Sequence, residues 1–246
     1  MRIIRGMKSI EKKFFYEKWY LDYLKDHINN RKENRDSLLN KDVLFQYLAR
    51  KKCFINSISK LRLNKNISKI IDIGCGSCSD LISLVSFGFN QKNLYGVDIN
   101  DSDINFGETN YPNLNLSNQN ATLLNYEDGF FDLTMESTMF VQLSNRDISK
   151  EIAKEMIRIT KKEGYILLID WRYGKFNKSK FIALNKKRVK EIFKVNRSTH
   201  LISIVPGMLI PPVGRFFSKN FSFLYFLVAR TFPFLVGQVA YILKKI

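Results

Sequence analysis

The 246-residue chain is predicted to fold as an α/β domain around a mostly parallel sheet. Two observations carry that prediction. Short β-branched runs alternate with stretches whose apolar residues recur at helical spacing, and alternation of this kind builds parallel strands covered by helices. The first run ends in a glycine turn and later ones end in single acidic residues, which places polar chemistry at the carboxyl ends of the strands, where open α/β sheets bind ligands.

The elements follow in order. Residues 11–27 read as a helix, with Phe15, Trp19 and Tyr23 four residues apart and Tyr16, Tyr20 and Leu24 beside them. The polar stretch 29–40 reads as a loop and 41–61 as a second helix. Ile70, Ile71 and Ile73 form a buried strand that enters the turn at Gly74 and Gly76, and a helix follows from about Asp80. Residues 94–97 make the next strand, ending at Asp98, and 131–135 another, ending at Glu136. A helix over 147–160 shows Ile148, Ile152, Met156 and Ile159 on one face and stops at Gly164. Residues 165–169 form a strand ending at Asp170, 185–193 a helix, and 199–205 and 238–243 the last two strands. In domain terms, 1–66 is a helical N-terminal extension or cap, and 67–246 is the sheet domain with an apolar insert at about 206–235.

Composition narrows the function classes. A hydrophobic fraction of 45% supports a packed core. Three cysteines, Cys53, Cys75 and Cys78, exclude a disulfide-stapled secreted scaffold. The N-terminus lacks the apolar core of a signal peptide, and no apolar run suits a bilayer span, so the chain is read as cytoplasmic. The net charge of +17 is unevenly spread. Residues 1–68 carry 17 Lys and Arg against 7 Asp and Glu, residues 69–160 carry 6 against 13, and residues 161–246 carry 17 against 3. Such basic flanks favour anionic partners, and they also follow from plain compositional bias.

The decisive segment is Ile71-Asp72-Ile73-Gly74-Cys75-Gly76-Ser77-Cys78. The glycines let the backbone turn and approach a ligand, and Asp98, twenty-two residues after Gly76, is placed to accept from ribose hydroxyls. A dinucleotide fingerprint needs a third glycine where Ser79 stands, so that match fails. The run resembles motif I of class I S-adenosylmethionine-dependent methyltransferases, with Cys78 at the usual third glycine. Asn120-Ala121, Phe131-Asp132-Leu133 and Lys162-Glu163-Gly164 resemble further landmarks of that family in order.

The resemblance implies a Rossmann-like fold of seven strands, mostly parallel with the last antiparallel. It implies S-adenosyl-L-methionine as cofactor, contacted by Asp72, Gly74, Cys75, Gly76, Asp98, Ile99, Asn120 and Ala121. A narrower resemblance, to a bacterial methyltransferase group found with surface-glycan biosynthesis, rests on Met135-Glu136-Ser137-Thr138-Met139-Phe140, Ile169-Asp170-Trp171-Arg172-Tyr173-Gly174, the loop Lys175-Phe176-Asn177-Lys178 and Pro211-Pro212-Val213-Gly214-Arg215. It implies O-methylation of a sugar or glycan-pathway acceptor, lipid-linked or phosphorylated.

Asp170 and Glu136 are the candidate bases or substrate anchors, at the ends of two central strands. Arg172 is the candidate clamp for a phosphate or carboxylate, and Trp171 and Tyr173 are candidate walls for a sugar face. Structural alternatives stand beside these: an Asp170–Arg172 ion pair, a cap by Glu136, a core Trp171. His27 and His200 read as structural, and Cys75 and Cys78 have no second pair for a metal. Lys186, Lys187, Arg188, Lys190 and Lys194 read as a solvated basic face. The insert reads either as a lid on the core or as an element lying on an anionic membrane surface at the inner face. The alternatives at function level are an RNA or lipid-quinone methyltransferase and a non-catalytic cofactor-binding scaffold. No RNA-binding signature is present, so nucleic acid is the weaker partner.

Overall fold

The computed structural model describes residues 38–174 and 181–246. The expected helix over 11–27, His27 and the loop segment 175–178 lie outside the described residues. Residues 41–246 form one compact unit.

Helix α1 (Lys41–Ile58) opens this unit. The sheet and its covering helices follow as β1 (Ile70–Ile73), α2 (Ser79–Ser86), β2 (Leu94–Asp98), α3 (Asp101–Asn110), β3 (Asn115–Asn118), β4 (Phe131–Ser137), α4 (Arg146–Ile159) and β5 (Thr160–Trp171). The C-terminal part holds α5 (Lys186–Ile192), β6 (Thr199–Pro206), α6 (Pro211–Asn220), α7 (Tyr225–Thr231) and β7 (Gln238–Lys245). The seven strands lie in the order β3-β2-β1-β4-β5-β7-β6. Strands β1 to β5 pair in parallel, and β7 inserts antiparallel between β5 and β6. This is the seven-stranded Rossmann-like arrangement with an antiparallel last strand.

The central strands carry the core. All four residues of β1 are buried, as a strand covered on both faces requires. Cys53 and Phe54 of α1 join Leu81, Leu84, Leu133 and Leu167 in one apolar cluster. Helix α4 is the clearest amphipathic element, with Ile148, Ile152, Met156 and Ile159 all buried. Its N-cap Asn145 accepts from the N–H groups of Asp147 and Ile148, satisfying donors a helix start leaves open.

Three local expectations need correction. Strand β5 begins at Thr160, not at 165: Phe131 pairs with Thr160 and Leu133 with Tyr165, so residues 161–164 are a bulge within the strand. Glu163 takes a left-handed φ of 62° there. Two elements had no counterpart in the sequence reading. One is β3, an edge strand of the polar residues Asn-Leu-Ser-Asn; the other is α3, which buries only Ile104 and Gly107. The basic face of α5 is also not uniformly solvated. Lys186, Lys187 and Lys190 are exposed, but Arg188 turns inward and donates to the Ile182 carbonyl and to Ser149 Oγ, each at 2.7 Å.

Candidate active site

The parallel strands bring their carboxyl ends to one edge of the sheet, and the sequence puts an acid at or near each of four ends. Asp72 lies in β1, Asp98 ends β2, Glu136 lies at the end of β4 and Asp170 at the end of β5. All four are buried, at 3%, 7%, 1% and 0% exposure. Burying four carboxylates at one edge is costly unless partners meet them.

The glycine loop forms the floor. Gly74 and Gly76 have φ of 76° and 48°, a region that glycine adopts without steric cost. A side chain at Gly74 would press on Met139 Sδ at 3.3 Å, whereas one at Gly76 would meet nothing within 4 Å. The backbone at Gly76 therefore borders open space. Cys78, where the resembled motif has its third glycine, keeps the left-handed backbone at φ 64° and serves as N-cap of α2. A non-glycine residue there carries strain of about 1–2 kcal/mol. The Cys78 thiol donates to the Gly76 carbonyl at 3.8 Å, and the proximity of the two thiols holds Cys78 below and, with burial, Cys75 above the ordinary thiol range. All three cysteines are free.

Asp98 braces this loop. Its Oδ2 accepts from the Gly76 N–H and its Oδ1 from the Asn100 N–H, both at 2.9 Å. Burial raises its pKa. A carboxylate offers about four acceptor sites, so about two stay available to hydroxyl donors. Ile99 follows it, half-buried, with its carbonyl accepting from Asn118 Nδ2 at 3.0 Å. Ala121 is likewise half-buried beside Asn120. Asn120 Oδ1 accepts from the Thr122 N–H at 3.0 Å and from Thr122 Oγ1 at 2.9 Å. Those two donors fix which end of the amide is oxygen, and its Nδ2 is left buried with no partner.

Two further orphans lie along the same edge. Asp72 Oδ1 and Glu136 Oε1 are buried without a hydrogen bond. The other Glu136 oxygen accepts from the Met139 N–H at 3.0 Å, in the turn after β4, while the helix that follows is capped by Asn145. Burial and then the neighbouring Asp170 charge push Glu136 well above the usual carboxylate range; burial and then Asp80 do the same to Asp72. Asp170 accepts from the Trp171 N–H at 2.6 Å and the Val141 N–H at 2.8 Å. Burial raises it to about 7. Between these acids the chain turns through Thr138, a β-branched residue at φ 60°, whose N–H is held by the Ile169 carbonyl at 2.9 Å.

The remaining candidates gather at the end of β5. Arg172 Nε donates to the Val236 carbonyl at 2.6 Å and its Nη2 donates to the Pro233 carbonyl. Tyr173 is 45% exposed, and its hydroxyl donates to the Phe234 carbonyl at 2.9 Å. The Trp171 ring lies against Gly237, where any side chain would collide with it. These three residues tie the insert to the rim of the site, and Arg172 makes those bonds in place of the ion pair with Asp170 entertained above.

One residue near the site has no place in the sequence pattern above, and a second has a different place there. Arg50 of α1 reaches Asp80 with two hydrogen bonds, at 3.0 and 2.6 Å, and donates to Ser137 Oγ at 2.7 Å. It thus joins the helix after the glycine loop to the end of β4. Its signal was positional: it stands four residues after Gln46 and three before Cys53, on the buried face of the helix. Arg188 is the second. Burial lowers its pKa, and its charge lowers that of Asp170. Among the described residues, no group of three or more His, Cys, Asp or Glu is placed to hold a metal ion.

The buried acceptor oxygens of Asp72 and Glu136 and the buried amide donor of Asn120, all without a protein partner, suit a ligand that brings its own donors and a ring nitrogen. S-adenosylmethionine carries a sulfonium and an ammonium together with ribose hydroxyls, and the donor and acceptor set fits it. The methyltransferase domain family matches residues 63–209. The chain belongs to that family and is an S-adenosylmethionine-dependent methyltransferase. No curated protein gives a significant match. Among solved structures, a Pyrococcus horikoshii protein is similar at 15% identity and a TM-score of 0.60, covering 88% of this chain and 100% of its own. Geranyl diphosphate C-methyltransferase from Streptomyces coelicolor, solved with S-adenosyl-L-homocysteine, is similar at 14% identity and a TM-score of 0.59, with 79% and 77% covered. A Methanosarcina mazei SAM-dependent methyltransferase is similar at 18% identity and 0.53, with 76% and 96% covered. At these identities the likeness is one of fold.

Proposed function

We propose that this enzyme methylates a hydroxyl of a sugar or glycan-pathway acceptor, lipid-linked or phosphorylated, at the cytoplasmic side of the cell. The observation that carries the reading is the pair of buried acids at the ends of β4 and β5, one with an orphaned oxygen, set beside aromatic residues at the rim.

Bound S-adenosylmethionine supplies a methyl group on a sulfonium, so the protein needs to orient it and to remove a proton from the acceptor. Asp98 would take the ribose hydroxyls through its remaining acceptor sites. The buried Nδ2 of Asn120 is a donor, so it suits a ring nitrogen of adenine. Gly74, Cys75 and Gly76 would let the backbone pass close to the cofactor, with Ile99 and Ala121 flanking the base. Asp72 Oδ1 offers an acceptor for the ammonium.

Glu136 is the better placed proton acceptor, because its Oε1 is free of protein partners while both Asp170 oxygens hold backbone N–H groups. Asp170 is then a positioning residue. It fixes the backbone at Val141 and Trp171 by accepting from both N–H groups. Trp171 and Tyr173 present ring surface to a sugar, and Arg172 shapes the rim.

The test is transfer of radiolabelled methyl from S-adenosylmethionine to a panel: nucleotide sugars, polyprenyl-phosphate-linked sugars, quinol precursors and transfer RNA. Labelling of the sugar compounds as an alkali-stable ether is expected. Label confined to the quinol precursors or the RNA would refute the acceptor class. Glu136→Gln should lower transfer by about 100-fold or more, the range for a general base, while S-adenosylhomocysteine still binds.

A further inference from the structure

The segment between β6 and β7 is built inside out. Helix α6 buries Gly214 and Ser218 and leaves Phe216 at 53% exposure. Its inward contacts are polar: Ser218 Oγ donates to the Lys41 carbonyl and accepts from the Phe45 N–H at 3.1 Å. Tyr225 of α7 is fully buried; its hydroxyl donates to Gln46 Oε1 and accepts from the Leu209 N–H. The apolar side chains face outward instead. Phe223 is 78% exposed, Leu227 57% and Phe234 64%. A large exposed apolar patch of this kind marks an interaction surface.

Three cations punctuate the patch: Arg215, Lys219 and Arg230, with Lys219 at 3.9 Å from Asp42. The segment 206–235 holds no Asp or Glu at all. Residues 1–37 carry ten Lys and Arg against six Asp and Glu, so the net charge of the preceding part of the chain has the same sign as the patch. A second copy would bring the same cations to the contact. An anionic lipid surface offers both apolar depth and negative charge. The patch also joins the site, since Arg172 and Tyr173 bond to the carbonyls of Pro233, Phe234 and Val236.

We propose that the surface formed by residues 211–235 docks on an anionic phospholipid bilayer, inserting Phe216, Phe223 and Phe234 among the headgroups and setting the mouth of the active site against the membrane. Docking of this kind needs only the fold and not the acceptor chemistry proposed above.

The test is co-flotation of the full chain with vesicles of phosphatidylglycerol and phosphatidylcholine, and with vesicles of phosphatidylcholine alone. Binding to the anionic vesicles only is expected. It should weaken about tenfold or more in the triple variant Phe216→Ser, Phe223→Ser, Phe234→Ser, and likewise in Arg215→Glu, Arg230→Glu. Circular dichroism and S-adenosylhomocysteine binding confirm that each variant is folded. Failure of the wild type to float would overturn the proposal. So would undiminished binding by both variants, which would assign the contact to the basic flanks or mean that another part of the chain covers the patch. Self-association of a non-floating wild type, lost in the triple variant, would assign the patch to a second copy and equally overturn it.

Discussion

Replacing Gly76 by alanine separates what the loop does for folding from what it does for binding. The backbone at Gly76 is left-handed, at φ 48°, and a Cβ there meets no atom within 4 Å. The folded chain therefore loses only conformational energy, about 1–2 kcal/mol. In a chain of this length each kcal/mol moves the melting temperature by about 2–4 °C, so Gly76→Ala should melt about 2–8 °C lower. The new methyl projects into the space the cofactor is proposed to occupy. S-adenosylhomocysteine at about 100 times its dissociation constant adds about 2.7 kcal/mol to the wild type, a rise of about 5–11 °C. Gly76→Ala should show no rise. The control is Gly88→Ala, at φ 91° in the turn after α2, with only Lys65 side-chain atoms nearby at 3.7 and 3.8 Å. It carries a similar backbone cost and should keep the full ligand-induced rise. A wild-type rise in Gly76→Ala would refute the placement of the cofactor over this glycine.

Other perturbations have equally definite outcomes. Asp98→Ala removes the acceptor for the Gly76 and Asn100 N–H groups and should abolish S-adenosylhomocysteine binding in calorimetry; retained affinity would remove Asp98 from the cofactor site. Arg50→Met leaves Asp80 buried without its guanidinium beside the already crowded Asp72, and chemical denaturation should report a loss of about 3 kcal/mol; a loss near zero would show that Asp80 finds another partner. Asp170 keeps its proton in the folded chain up to about pH 7, whereas unfolded it would lose it near 4. Its contribution to stability is thus full below about pH 4 and declines as pH rises through about 7. The melting temperature should fall across that window, and the fall should be smaller in Asp170→Asn; a curve that rises through pH 7 in the same way for both would contradict the assignment.

Much of the architecture was legible because the central strands are β-branched and buried on both faces, so their composition alone marks them. Asp72, Asp98, Glu136 and Asp170 were legible as a set because the parallel arrangement sends every strand's end to one edge. Strand β3 was not, since an edge strand of Asn115, Leu116, Ser117 and Asn118 pairs on one side only and needs no apolar run. The start of β5 was hidden by the bulge, whose Lys-Glu-Gly reads as a turn between elements and not as an interruption within one. Arg50 and Arg188 were hidden because charge runs such as Arg50-Lys51-Lys52 and Lys186-Lys187-Arg188 look alike along their length. Only the helix phase separates the inward arginine from exposed neighbours such as Lys52, Lys186 and Lys187. The roles of Arg172 and Tyr173 at the rim depend on Pro233, Phe234 and Val236, some sixty residues away, and no local pattern encodes that contact.

The central claim is that this edge of the sheet binds a cationic nucleoside cofactor and not a dinucleotide. Isothermal titration calorimetry of the full chain with S-adenosylhomocysteine, and separately with NADH, tests it most directly. Saturable one-to-one binding of S-adenosylhomocysteine with no heat from NADH is the predicted result. Binding of NADH, or of neither ligand by a chain shown to be folded, would contradict the account.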